Sequence, residues 1–230
     1  MPPPQAAPRA VLFDAYGTLF DVYSVTALAQ SLFPGHGERL ALLWRDKQIE
    51  YTRLVSMAGE RRTFRDLTRA GLRFAARRLA IDLSNEAEDR LMAEYQRLAL
   101  FPENRGVLDA LKARGVRAGI LSNGDVDMLA ELVANTGLAA LLDPVISVQP
   151  TGRFKTDPAT YALGPAALDL PTGDILFVSS NGWDAIGATW HGYITLWVNR
   201  AGLPLDPLGT APTRVGNNLE NVLDFFPTRP

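Results

Sequence analysis

The stretch Asp14–Asp21, DAYGTLFD, carries the clearest chemistry in the chain. Asp14 ends the apolar run RAVLF, so its carboxylate should emerge where a buried strand ends. Gly17 permits a tight turn, and the Thr18 hydroxyl can hydrogen-bond the Asp14 carboxylate and fix its rotamer. A carboxylate held this way can act as a covalent nucleophile; the plainer alternative is an Asp that caps a turn. Three later stretches add polar groups at strand ends. In LSNGD, Leu121–Asp125, Ser122 and Asn123 stand where a helix begins, and the free N–H groups of that helix can bind an anion. Either residue could instead simply cap the helix. In FKTDPATY, Phe154–Tyr161, Lys155 precedes a helix and offers Asp14 a partner of opposite charge. In VSSNGWDAIGA, Val178–Ala188, a further strand ends in Ser179, Ser180, Asn181 and Asp184. Polar groups converging from four strand ends are hard to explain by packing alone.

These groups need a scaffold that brings strand ends together. Short apolar runs at 9–14, 116–121, 144–148, 174–179 and 193–198 read as strands buried on both faces. Helical patterns at 104–114, 125–136, 157–168 and 184–190 separate them. The alternation predicts an α/β fold, a Rossmann-like, doubly wound parallel sheet. Residues 21–101 break the alternation: they are helix-patterned, lack strand signals, and place Leu40, Leu43, Trp44, Lys47 and Tyr51 at helical spacing. Inserted after the first strand, they should form a helical cap over the carboxyl edge of the sheet, where ligands bind in such folds. From Glu38 to Arg78 the cap holds eleven Lys or Arg against five Asp or Glu. That bias suits an anionic substrate; the plainer reading is solvated helix faces. The expected organisation is a core domain of residues 9–20 and 102–230, a cap domain of 21–101 and a disordered tail of 1–8. Residues 202–212, rich in Pro and Gly, should form a surface loop before a last strand or helix at 219–226.

Composition narrows the function classes. Apolar residues make up 47% of the 230, enough for a sizeable core. The net charge of -2 gives no push towards nucleic acid or membrane. With no cysteine, disulfides, thiolate metal sites and cysteine nucleophiles are excluded. The start, MPPPQAAPRA, is not a secretory signal, and no apolar run is long enough to span a bilayer. The expectation is a soluble, cytoplasmic protein.

The stretches FDAYGTLFDVYSV, LWRDKQIEYT, ILSNGD, FKTDPATY and LFVSSNGWDAIGA occur in order from Phe13 to Ala188. In this the chain resembles the haloacid dehalogenase superfamily, and within it the L-2-haloacid dehalogenases. The resemblance implies that Asp14 is the nucleophile. It implies that Thr18, Ser122, Lys155, Tyr161, Ser179, Asn181 and Asp184 surround it, and that Arg45 receives the halide. Asn123 and Trp183 would neighbour halide and substrate, and Tyr16, Asp46, Ile49 and Phe64 would line the pocket. The chain departs from the family at two of these stretches. Thr156 stands where a proline usually follows the lysine, which would loosen that loop. Asp46 often corresponds to Gln, and an added anion there would weaken binding of an anionic substrate.

The resemblance also separates halide from phosphate chemistry. Phosphate-transferring relatives use Mg²⁺ and a second Asp, two residues after the nucleophile, to protonate the leaving alkoxide. Here that position is Tyr16, and Ser179 and Ser180 replace acidic metal ligands. A halide needs no proton, only N–H donors and positive charge. The implied activity is hydrolysis of small anionic 2-haloacids with water, without metal or other cofactor, nucleic acid or membrane, by a homodimer. A Mg²⁺-dependent phosphohydrolase and a non-catalytic binding protein of the same fold are the alternatives.

Overall fold

The computed structural model describes residues 7–227. Most of the expected tail therefore lies outside the described residues; Pro8, within them, is buried. The first strand, β1 (Ala10–Phe13), is wholly buried. After a turn come β2 (Phe20–Asp21) and four helices: α1 (Thr26–Leu32), α2 (Gly37–Ala58), α3 (Phe64–Arg78) and α4 (Asn85–Glu94). Then β3 (Ala99–Leu100) leads into α5 (Asn104–Ala113), β4 (Arg117–Ser122), α6 (Val126–Asn135) and β5 (Val145–Ser147). The rest is α7 (Pro158–Tyr161), α8 (Leu163–Leu168), β6 (Ile175–Ser179), α9 (Gly182–Trp190), β7 (Ile194–Val198) and β8 (Arg214–Gly216), followed by a 3₁₀ turn at Leu219–Phe225.

Six strands form one parallel sheet in the order β5–β4–β1–β6–β7–β8. The chain winds from β1 out to β5, then returns to the other side of β1 for β6 to β8. Such a reversal leaves a crevice at the carboxyl ends of the strands. Phe13 is in register with Ile120 of β4 and Val178 of β6. The residues that follow each of them therefore leave the sheet side by side, and the Asp14 N–H donates to the Val178 carbonyl at 2.9 Å.

The long α2 buries Leu40, Ala41, Trp44, Arg45, Gln48 and Thr52 along one stripe. It crosses α3 at Gly71, where a Cβ would stand 3.2 Å from both the Gln48 nitrogen and the Trp44 carbonyl oxygen. The Trp44 indole N–H donates to the Thr68 carbonyl at 2.7 Å, which fixes the pair. Side chains of Thr63 and Ser84 cap α3 and α4 by accepting from the N–H groups of Asp66 and Ala87.

Three elements differ from the sequence expectation. The region 21–101 does carry strand at its ends: β2 and β3 pair antiparallel, and a ladder of two residues has no periodicity to read. The short β8 is likewise absent from the sequence pattern. The single helix expected at 157–168 is two helices. Pro165 cannot donate to the carbonyl of Tyr161, four residues back, and its ring crowds it. The Tyr193 hydroxyl donates to that carbonyl instead, at 2.6 Å. Among the described residues, no helix is long and apolar enough to cross a membrane.

Candidate active site

Asp14 sits at the carboxyl edge of the central strand, 6% exposed. Both of its oxygens are held. Oδ2 accepts from the Thr18 hydroxyl at 3.0 Å and the Asn181 amide at 2.9 Å; Oδ1 accepts from Lys155 Nζ at 3.2 Å. Gly17, at φ +92°, makes the turn that returns Thr18 to the carboxylate. The Thr18 hydroxyl also accepts from the Ser180 N–H at 2.8 Å, joining the loops after β1 and β6. Lys155 is 1% exposed. Its loop is held despite Thr156, because the Lys155 N–H donates to Asn123 Oδ1 at 2.9 Å.

Behind Asp14 the same ammonium donates to Asp184 Oδ2 at 2.9 Å, and the Tyr161 hydroxyl donates to Asp184 Oδ1 at 2.7 Å. Asp184 is fully buried. Burial pushes its carboxyl up from the ordinary value; Lys155 opposes that, Asp14 adds to it, and the Tyr161 hydrogen bond draws it down. Burial likewise holds the Tyr161 and Tyr16 phenols protonated. Ser179 and Ser122 are fully buried and serve the loops: their hydroxyls accept from the Asn181 and Gly124 N–H groups at 3.1 and 3.2 Å. Ser122 does not line the open space, because its hydroxyl turns back to its own loop.

That space is a chamber of about 10 Å³ lined by Asp14, Tyr16, Arg45, Ile49, Thr52, Phe64, Asn123, Asn181 and Trp183. Arg45 reaches it from α2, 8% exposed. Its guanidinium donates to Gln48 Oε1 at 2.6 Å, the Tyr16 carbonyl at 3.0 Å and Asn181 Oδ1 at 3.3 Å. Tyr16 packs between Phe64 and Tyr95, with ring centroids 5.1 and 5.8 Å away. Its hydroxyl is buried with no hydrogen-bond partner among the described residues. Asp46 is the one expected lining residue that faces elsewhere. One step along a helix turns a side chain by about 100°, so Asp46 lies on the outer side of α2, lining surface clefts with Arg39 and Arg53.

Residues not singled out from the sequence complete the site. Gln48 and Thr52, three and seven positions after Arg45, share its face of α2, a spacing that could have pointed to them. Asn104 donates its amide to the Thr18 and Leu19 carbonyls at 3.1 and 2.8 Å. Asp125 accepts from the Phe64 and Arg65 N–H groups at 2.9 and 2.8 Å, fastening the start of α3 over the chamber. Of the eleven Lys or Arg between Glu38 and Arg78, four stand in ion pairs: Arg69 and Arg73 with Glu88, Arg65 with Asp127, Lys47 with Glu50.

The Asp14 carboxylate and the Arg45 guanidinium thus face one small chamber on a doubly wound sheet, with the Lys155 ammonium buried against Asp14. The model of the haloacid dehalogenase-like hydrolase family matches residues 8–192. The chain belongs to this family. Haloacid dehalogenase-like hydrolases similar to it include the (S)-2-haloacid dehalogenase of Pseudomonas sp. (strain YL), 40% identical over 96% of this chain and 95% of that one. The haloacetate dehalogenase H-2 of Moraxella sp. (strain B) is 40% identical over 89% of this chain and 91% of its own. Among solved structures, the L-2-haloacid dehalogenase of Xanthobacter autotrophicus with chloropropionic acid covalently bound superposes with a TM-score of 0.88, at 33% identity, covering 96% of this chain and all of that one. In this family setting, the cation between Asp14 and Asp184 is the Lys155 ammonium. Among the described residues no three His, Asp or Glu side chains group to hold a metal ion.

Proposed function

We propose that the chain hydrolyses short L-2-haloalkanoic acids to D-2-hydroxy acids through an ester on Asp14, without a metal. The observation that carries the reading is one chamber lined together by the Asp14 carboxylate and by Arg45, Asn123 and Trp183. An Asp14 oxygen attacks the α-carbon in line; the O–C bond forms as the C–X bond breaks, and the halide leaves with the electron pair. Arg45, Asn123 and the Trp183 indole N–H receive it in a dry site, where such donors act strongly. In-line attack inverts the carbon. Water then adds to the ester carbonyl of Asp14, giving its proton to Asp184, while Lys155, Ser179 and Asn181 hold the oxyanion. As the adduct collapses, the C–O bond to the substrate oxygen breaks and that oxygen takes the proton from Asp184; the hydroxy acid departs with the former Asp14 oxygen, the water oxygen stays on Asp14, and its remaining proton passes to solvent. Tyr16, Ile49 and Phe64 shape the pocket, and Thr18 and Tyr161 hold Asp14 and Asp184. Residues 21–101 act as the cap that closes the site.

The alternative raised by the sequence is a Mg²⁺-dependent phosphohydrolase. Tyr16 in place of a second Asp speaks against it, since burial keeps its phenol from giving up a proton. Halide release from L- and D-2-chloropropionate, with and without EDTA, decides the matter. The expected result is release from the L form alone, at the same rate in chelator; loss of activity in EDTA would defeat the scheme.

The place of Asp184 gives a pH test. As a proton acceptor it must be ionised, so turnover falls as pH drops through its pKa, which burial raises. The Tyr161→Phe variant removes a hydrogen bond that favours the ionised form. The acid limb of kcat should move to higher pH in that variant, with the alkaline plateau kept. An unmoved limb would take Asp184 out of this role.

The substrate class and the absence of cysteine fit a cytoplasmic enzyme with a small anionic haloacid and water as its partners. We assign it a homodimer; sedimentation that gives a monomer would exclude this.

A further inference from the structure

The chamber has room for little more than one water molecule. A 2-haloacid can enter only if a wall moves. Ile49 and Trp183 line both the chamber and a surface cleft of about 510 Å³ that also contains Asp46, Glu50 and Arg53. The wall there is one side chain thick. On another side, Arg45 and Asn181 part the chamber from a second cleft of about 440 Å³.

The two walls are fastened differently. Arg45 is pinned by hydrogen bonds to Gln48, Tyr16 and Asn181, and moving it would withdraw a buried charge from its partners. On the outer side of Trp183 lies the exposed Arg53, its guanidinium carbon 5.0 Å from the ring centroid. A cation–π contact at an exposed site is weak.

We propose that Trp183 is the door through which the acid enters, and that Arg53 is an outer docking site for a small monocarboxylate. The assignment of the acid as substrate rests on the reaction proposed above. A carboxylate is a better partner for a guanidinium than an indole face, because it accepts two parallel charge-assisted hydrogen bonds. A docked acid therefore draws Arg53 off Trp183 and frees the door. Of the two acidic residues in the cleft, Glu50 is paired with Lys47 at 2.6 Å, and Asp46 opposes the docking charge.

The test is Arg53→Gln beside Arg53→Lys, with circular dichroism to verify that each is folded. At low ionic strength R53Q should lower kcat/KM for L-2-chloropropionate about fivefold, the factor one charge a few ångströms away gives in water. The kcat should hold, R53K should keep most of the rate, and the gap should close at 1 M salt, where screening acts within about 3 Å. An R53Q enzyme with wild-type kcat/KM at low salt overturns the docking site. A second arm needs no turnover: propionate, which carries no halogen, is titrated against the Trp183 fluorescence, isolated by subtracting a Trp183→Phe protein. Its midpoint should weaken about fivefold in R53Q, and an unchanged midpoint, or no Trp183 response at all, counts against the proposal. If the wild type releases no halide from any 2-haloacid, the reaction reading fails, while this titration still decides the docking site.

Discussion

Lys155→Met will cost the fold about 3–5 kcal/mol, the usual penalty for removing one partner of a buried ion pair, and will lower halide release about a thousandfold. Both effects have one origin. The ammonium is 0% exposed and is shared by two carboxylates, at 3.2 Å from Asp14 and 2.9 Å from Asp184. Methionine fills nearly the same volume but leaves two like charges in a dry place. Asp184, already pushed up by burial, then favours its protonated form and cannot take the water's proton, and Asp14 loses the donor that holds its Oδ1. Urea unfolding gives the stability change. A double variant separates the two effects: adding Asp184→Asn to Lys155→Met removes one of the stranded charges, so stability should partly return while turnover does not. A single variant that unfolds with the wild type, or that keeps a tenth of its rate, would show that Lys155 does not balance the pair.

Asp14→Asn should abolish halide release to within about one part in 10⁴, the scale on which loss of a nucleophile is felt. The amide is close in size and can still accept from Thr18, so the fold should be kept, which separates this outcome from the first. The sharper measurement uses oxygen-18 water in a single turnover of the wild type. Because water attacks the ester carbonyl, the heavy oxygen should be found in the Asp14 peptide by mass spectrometry, and the first hydroxy acid released should be light. Label in that first product with none on Asp14 would mean direct displacement by water.

The parallel sheet was legible because its strands are apolar on both faces and stop at polar residues. Asp14, Ser122 and Ser179 all follow or end apolar runs, and parallel register then places three strand ends at one edge. What escaped has physical reasons. Ladders of two or three residues, such as β2, β3 and β8, leave no alternation. Arg45 has no local signature on a helix rich in arginine; it is picked out only by the family resemblance. Asp46 went to the wrong side because neighbours on a helix diverge, whereas Gln48 and Thr52, on the right side, look like ordinary polar helix residues. Asp125 reads as the close of a loop, and its bonds to Phe64 and Arg65 join segments about sixty residues apart, which no local pattern encodes.

The break between α7 and α8 sets two interests against each other. With alanine at 165 in place of proline, the backbone could run on as one better helix. The Tyr161 carbonyl would then rejoin the helical ladder, the Tyr193 hydroxyl would lose its acceptor, and the backbone that presents the Tyr161 phenol to Asp184 would be re-aimed. A gain in local order would be bought with the aim of the group that steadies a buried acid. This is the kind of local imperfection that selection for stability alone would remove and selection for catalysis would keep.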